Sequence, residues 1–199
     1  MLELLLAVLS ASAATGMRIS IPLLMIGLLY GGSLWSHVPL LSQISPAILL
    51  GVLVSWSCVE LVASKSLLGQ RVLQMVQIFL SPIVGTIVGM TVAQATGVTG
   101  WQAGLFGSLG GVFALVLQLV QAGWFYRLRG LPLWAVLLQD MLCITLVLLA
   151  FDAPKQGGLI ALLLLWLAIR SSSAWRNWYR QQARPGSRKN PRRYMQEPD

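Results

Sequence analysis

The sequence is short of charge. Lysine, arginine, aspartate and glutamate make up 10% of its 199 residues, where an average soluble domain has about 25%. A chain so poor in charge cannot clothe a water-facing surface in the usual way. Chemistry-bearing side chains are scarce as well, with one histidine, two cysteines and six acids. His37 stands in a loop-like stretch with no acid or cysteine beside it and reads as a solvated side chain. No HExxH, GxSxG, P-loop, paired CxxC or dinucleotide fingerprint occurs. An enzyme is therefore not expected, and no residue set asks for a metal or a cofactor. Cys58 and Cys143 both fall inside apolar runs, where free cysteine behaves as a small hydrophobe and says little about redox compartment.

What fills the chain instead is hydrocarbon. The sequence is 56% hydrophobic, with a mean hydropathy of +0.74. Apolar runs cover residues 2–30, 44–63, 78–95, 101–125, 131–150 and 157–175. About 20 helical residues at 1.5 Å each cross a hydrocarbon core of about 30 Å, and the runs lack the two-residue alternation of barrel strands. The expected fold is all-α, a polytopic membrane helix bundle of about six spans over residues 1–175. The stretches YGGSLWSHVP, TGVTG, LRGLP and DAPKQGG supply turn chemistry between runs. ASA at residues 11–13 resembles a cleavage site, but the acidic opening MLELLL has no basic residue and argues against a signal peptide.

The net charge of +8 is concentrated at one end. Eight of the fourteen basic residues lie from Arg170 onward, and seven of these, Arg176, Arg180, Arg184, Arg188, Lys189, Arg192 and Arg193, belong to a tail over residues 176–199. A basic tail leaving an apolar helix reads as a cytoplasmic, disordered topology determinant and as a contact for anionic lipid, not for nucleic acid. With the tail cytoplasmic, Lys65, Arg71, Arg127 and Arg129 fall on the same side, giving twelve basic residues against Lys155 alone on the other. That asymmetry predicts a multi-pass protein of the cell membrane with its C-terminus in the cytoplasm. Trp35, Trp101, Trp124, Trp134, Trp175, Trp178 and Tyr179 lie near the expected boundaries, as interfacial aromatics should.

Two stretches have readable faces. In residues 64–77, Leu68, Val72, Met75 and Val76 recur at three- and four-residue spacing, continuing to Phe79, with Lys65, Gln70, Arg71, Gln74 and Gln77 mostly elsewhere on the wheel. The pattern suits an interfacial amphipathic helix or a cytoplasmic extension of the third span. Gly85 and Gly89 form a GxxxG, and Gly104, Gly107 and Gly111 follow at three- and four-residue spacing. Such faces let helices approach closely in lipid. They suit packing within the chain, and they would also suit a second copy or another membrane protein.

The ionisable residues expected within, or at the edge of, the bilayer are Glu3, Arg18, Glu60 and Asp140. A charge at the bilayer centre costs from about 2.5 to more than 10 kcal/mol depending on the method, so each must pair, snorkel, neutralise or face water. Glu60 lies five residues before Lys65, within about a turn of the surface. Asp140, with Gln139 beside it, lies near mid-span, about 15 Å from either end. Arg18 interrupts a first run of 29 residues, about 43 Å as one helix and too long for an upright crossing. Thr15, Gly16 and Pro22 are candidates for a break that places Arg18 between two half-length pieces. The run then either crosses once or dips in and returns, which puts the N-terminus on opposite sides.

The stretches AATGMRISIPLL, CVELVASK, SPIVGTIVG and LVQAGWFYRLRGLPLWAVLLQDMLCITLVLLA resemble the bacterial membrane family known as domain of unknown function 4126. Its A-G-L-R-x-x-x-P is echoed by Gly16, Met17, Arg18 and Pro22, its E-L-x-x-D-K by Glu60, Leu61 and Lys65, and its late E-D by Gln139 and Asp140. Ser64, Gln139 and Ser81 stand where the family pattern has aspartate, glutamate and arginine. The resemblance implies the fold and marks Arg18, Glu60 and Asp140; it implies no activity.

Two functions follow as expectations. One is a small solute or ion transporter or channel using Arg18 with Asp140 and Glu60. The other is a non-catalytic scaffold or assembly factor using the glycine faces and the tail. Six spans would also divide three and three, as in inverted-repeat transporters, although the two halves are not alike in sequence.

Overall fold

The computed structural model describes residues 1–35, 45–63, 67–128 and 133–182. Among these there is no strand, and the helices are α1 (Leu2–Met17), α2 (Ser20–Trp35), α3 (Pro46–Ala63), α4 (Leu67–Ala95), α5 (Trp101–Leu128), α6 (Leu133–Asp152) and α7 (Pro154–Gln182). Four carry apolar stretches long enough to cross a membrane: Leu68–Ala95, Trp101–Gly123, Trp134–Asp152 and Pro154–Ser173. These fit a membrane protein, and the six spans expected from the hydropathy runs are not reached among the described residues. The first half has the shorter helices, α1 and α2 with 16 residues each, about 24 Å of helix, and α3 with 18.

The chain divides into two units, Met1–Leu165 and Trp166–Asp199. In the second, the Arg170 guanidinium lies 5.2 Å from the centre of the Trp166 ring, a cation–π distance. Arg176 and Arg180 fall within α7. His37, Lys65, Arg129 and the tail residues Arg184, Arg188, Lys189, Arg192 and Arg193 lie outside the described residues.

At the centre of the first unit is α1, packed against α4, α5 and α6. Every residue from Ser10 to Met17 is buried. The helix can be enclosed on all sides because its second half is made of small residues, SASAATG, which let neighbouring backbones come close. Gly16 is part of this: a Cβ there would lie 2.7 Å from the Ala114 carbonyl oxygen of α5. Thr15 and Gly16 are thus interior helical positions, Thr15 donating its hydroxyl to the Ala11 carbonyl at 3.0 Å, and the break falls beyond them, at Arg18 and Ile19.

Contacts along α1 fix its direction. Met17 meets Gln139, Ala14 meets Cys143, Ser10 meets Leu146 and Glu3 meets Lys155. Helix α1 therefore runs antiparallel to α6, with the N-terminus on the face that holds Lys155. After the break, Ser20 at the start of α2 touches Glu60 near the end of α3, and α2 packs along α3. Helix α2 thus runs back toward the Lys155 face. The first run dips in and returns, with Arg18 at its tip.

Helices α4 and α5 pair antiparallel through their glycines. A Cβ on Gly85 would lie 2.6 Å from the Ala114 Cβ, one on Gly89 3.0 Å from the Phe106 carbonyl oxygen, and one on Gly107 3.0 Å from that of Thr86. Gly111 faces Thr86 and the Pro82 carbonyl oxygen, the latter at 2.6 Å. Gly104, expected in the same face, has nothing within 4 Å and takes no part in the packing. Between the two helices Gly97 (φ 82°) and Gly100 (φ 71°) make the turn in left-handed conformations open to glycine at little cost.

From Leu67 onward the stretch 64–77 is the first part of the continuous α4, the extension of the third span and not a separate interfacial helix, with residues 64–66 outside the described residues. Its faces are also inverted relative to a helix on a watery surface. Leu68 and Phe79 are 75% and 77% exposed, Val72 and Met75 are exposed too, and Gln74 and Gln77 are buried. The apolar stripe points outward, as lipid allows, and the amides point in.

The glycine contacts give a matched pair of tests. Gly85→Ala is expected to lower stability by about 1–3 kcal/mol through overpacking, while Gly104→Ala should be neutral or slightly stabilising because alanine favours helix. Unfolding midpoints of the two variants in one detergent decide it; equal midpoints would show that the α4–α5 seam is not close-packed.

Candidate functional site

The site begins with the helix stop. Proline at position 22 has no N–H to give the carbonyl four residues back, and its ring would collide with that carbonyl. Position 18 therefore leaves the helix: Arg18 is extended, φ −144° and ψ 134°, although its own N–H still reaches the Ala14 carbonyl. Ending α1 frees the Met17 carbonyl, which accepts a 2.7 Å hydrogen bond from Gln139 Nε2. Gln139 serves the broken backbone and forms no part of the ion cluster. Cys143 donates its thiol to the Ala14 carbonyl at 3.3 Å.

The same stop delivers the guanidinium to two acids on different helices. Arg18 Nε donates to Asp140 Oδ1 of α6 at 2.7 Å, a short charge-assisted bond. Arg18 Nη1 lies 3.9 Å from Glu60 Oε2 of α3, a looser coulombic contact. Glu60 lies deeper than its place near Lys65 implies. It accepts from Ser20 Oγ at 2.5 Å, from Trp56 Nε1 at 3.0 Å and from Gln77 Nε2 at 3.2 Å. Arg18, Glu60 and Asp140 are 6%, 2% and 8% exposed, so the guanidinium meets fixed carboxylates and almost no solvent.

Glu60 also opens onto a set of amides. Gln77 joins Gln118 of α5, whose Nε2 donates to Gln77 Oε1 at 3.3 Å and to Gln74 Oε1 at 3.2 Å. Helices α2, α3, α4, α5 and α6 therefore each place a polar side chain in one connected network around the Arg18 tip. Sequence reasoning found its three charges but missed Ser20, Trp56, Gln74, Gln77 and Gln118. The available signal was the spacing of Gln70, Gln74 and Gln77, a single helix face repeated within lipid-length apolar helix.

With all three groups ionised, the cluster holds one more negative than positive charge. Burying ions costs several kcal/mol each, and removing one partner of a buried pair typically costs about 3–5 kcal/mol because the other is left uncompensated. Arg18→Leu should therefore destabilise by about that amount. The triple variant Arg18→Leu, Glu60→Gln, Asp140→Asn should recover most of the loss. Denaturant titration in mixed micelles checks this, and a triple variant no more stable than the single would refute the coupling.

No curated protein and no solved structure matches the chain. A family model described as a domain of unknown function, number 4126, matches residues 5–174. The match covers Arg18 with Pro22, Glu60 and Asp140, the residues that build the cluster. The chain belongs to the family of the domain of unknown function 4126.

Proposed function

We propose that the protein is a small membrane transporter or channel for an ion or small solute, with Arg18, Glu60 and Asp140 as its binding or exchange groups. The observation that carries this reading is the surplus acid: two carboxylates from different helices share one guanidinium at the tip of a helix that enters and returns. Pinning helices together needs one acid per arginine. A second buried acid adds desolvation cost and an unbalanced negative charge, and a proton or a small cation restores neutrality. Broken helices meeting charged side chains inside a bundle are a recurring arrangement at transport sites. The near-complete burial of the cluster fits a closed state. The distribution of basic residues supports a cytoplasmic position for the face where α3 joins α4 and α5 joins α6, which puts the N-terminus outside a cell membrane.

A scaffold or assembly role is the second reading, favoured by the dry geometry of Arg18, whose partners are fixed carboxylates. It uses the cluster as a clamp and the basic residues from Arg176 onward as a docking segment for anionic lipid or a membrane-protein partner.

The readings separate on two measurements. In proteoliposomes screened with proton, monovalent-cation and small-solute gradients, transport predicts a flux that Asp140→Asn abolishes while the variant remains monodisperse. No flux above empty liposomes would remove the transport reading. Scaffolding predicts that deleting residues 176–199 releases co-purifying membrane proteins without disturbing insertion; unchanged partners would remove it.

A further inference from the structure

Past the cluster the hydrogen-bonded amides continue along α4 and α5, while Ser12 Oγ and Gln94 Oε1 are isolated buried atoms without a partner on the Lys155 side. Gln70, Gln74 and Gln77 follow at i, i+4 and i+7 on α4, and Gln118 and Gln121 at i and i+3 on α5, so each set shares a helix face. Gln77 lies ten residues from Leu67 at the start of α4, about 15 Å of helix. The amides thus lead from Glu60 toward the face opposite Lys155. Toward the Lys155 face the same two helices are closed by glycine contacts, with Gly85 and Gly110 against each other and Ser12 of α1 against Gly110.

Gln118 and Gln121 each keep a side-chain Oε1 that is buried and has no hydrogen-bond partner, and Gln118 itself is fully buried. A buried amide oxygen without a donor is costly, about 1–3 kcal/mol, and the usual remedy is ordered water where several polar groups converge. Ser81 Oγ, one turn from Gln77 toward the glycines, is likewise buried without a partner. Five amides and an orphan hydroxyl lie along the two facing helices, next to the Glu60 carboxylate of α3.

We propose that these glutamines line a water-filled proton path that connects Glu60 to the face opposite Lys155. A hydronium arriving along the path gives its proton to a Glu60 carboxylate oxygen and leaves as water. The charged groups facing Glu60 are Arg18 from the α1–α2 break and, across it, Asp140 from α6; Ser20, Trp56 and Gln77 from α2, α3 and α4 are neutral donors. Protonating Glu60 removes the surplus negative charge and leaves Arg18 paired with Asp140 alone. The inference rests on the transport reading, to which it adds the proton as the exchanged ion and one face as its entrance.

The test uses the full chain in membrane vesicles of known orientation, in a Cys58→Ser background. Gln118→Cys and Gln121→Cys are treated with a small, charged, membrane-impermeant methanethiosulfonate. Leu119→Cys reports a lipid-facing position on α5, and the native buried Cys143 reports dry packing. The path predicts that both glutamine-site cysteines react from the face opposite Lys155 at least about tenfold faster than Leu119→Cys or Cys143, a margin equal to about one hydrogen bond's free energy. Rates no higher than Cys143 at both sites would overturn it. In proteoliposomes with an internal pH dye, Gln118→Leu should slow proton entry by about tenfold, and a rate equal to wild type would likewise overturn the path. Fast labelling with no proton flux in the wild type would refute proton transport while leaving the hydrated route standing. Flux of another ion with unreactive Gln118→Cys and Gln121→Cys would refute the route while leaving transport standing.

Discussion

Proline at position 22 is the constraint from which the centre of the molecule is built. By denying a hydrogen bond to the carbonyl of residue 18, it ends α1 inside the bundle and turns the chain back. The ending leaves a carbonyl at Met17 that Gln139 must satisfy, and it points a permanently charged guanidinium into a place with little water. Two acids answer the charge, and Glu60 then needs its own donors, which come from α2, α3 and α4. One proline thus explains why helices far apart in sequence converge on a single point. Each later contact is the least costly response to the polar group that the previous step exposed.

Much of this was legible because lipid makes polar residues conspicuous. Arg18, Glu60 and Asp140 stand out in runs of leucine and valine, and the cost of an unpaired charge calls for a carboxylate beside Arg18; that both acids meet it is seen only in the fold. The helical class and the turn at Gly97 and Gly100 were readable from run length and turn residues. The position of the break was not, because Thr15 and Gly16 look like breakers. In this fold Thr15 returns its hydroxyl to its own helix and Gly16 provides room for Ala114. Pro22 carried the information, four residues beyond the carbonyl it disables.

The glutamines were missed for a different reason. A wheel with leucines on one side and glutamines on the other is ordinarily a helix lying on a core with its amides in water. In α4 the sense is reversed, since lipid accepts Leu68 and Phe79 and the interior accepts Gln74 and Gln77. Amphipathic pattern gives the division between faces but not which one is inside, and only a tertiary partner settles that. Gln118 is that partner: its amide donates to both Gln74 and Gln77, and neither α4 nor α5 alone reveals the match.

The two halves of the α4–α5 pair consequently differ in what they permit. Glycines toward Lys155 bring backbones into direct contact, where nothing moves without losing dispersion contacts along the whole seam. Glutamines toward the other face meet through long side chains whose hydrogen bonds can be exchanged for bonds to water at little net cost. If the bundle opens, the difference in cost places the opening on the glutamine side and the hinge on the glycine side. Arg18 sits at the boundary between them, attached by its backbone to the rigid α1 and by its charge to α3 and α6. A change in the charge of Glu60 would therefore act where the close-packed half ends, at the point with most leverage over the half that can yield.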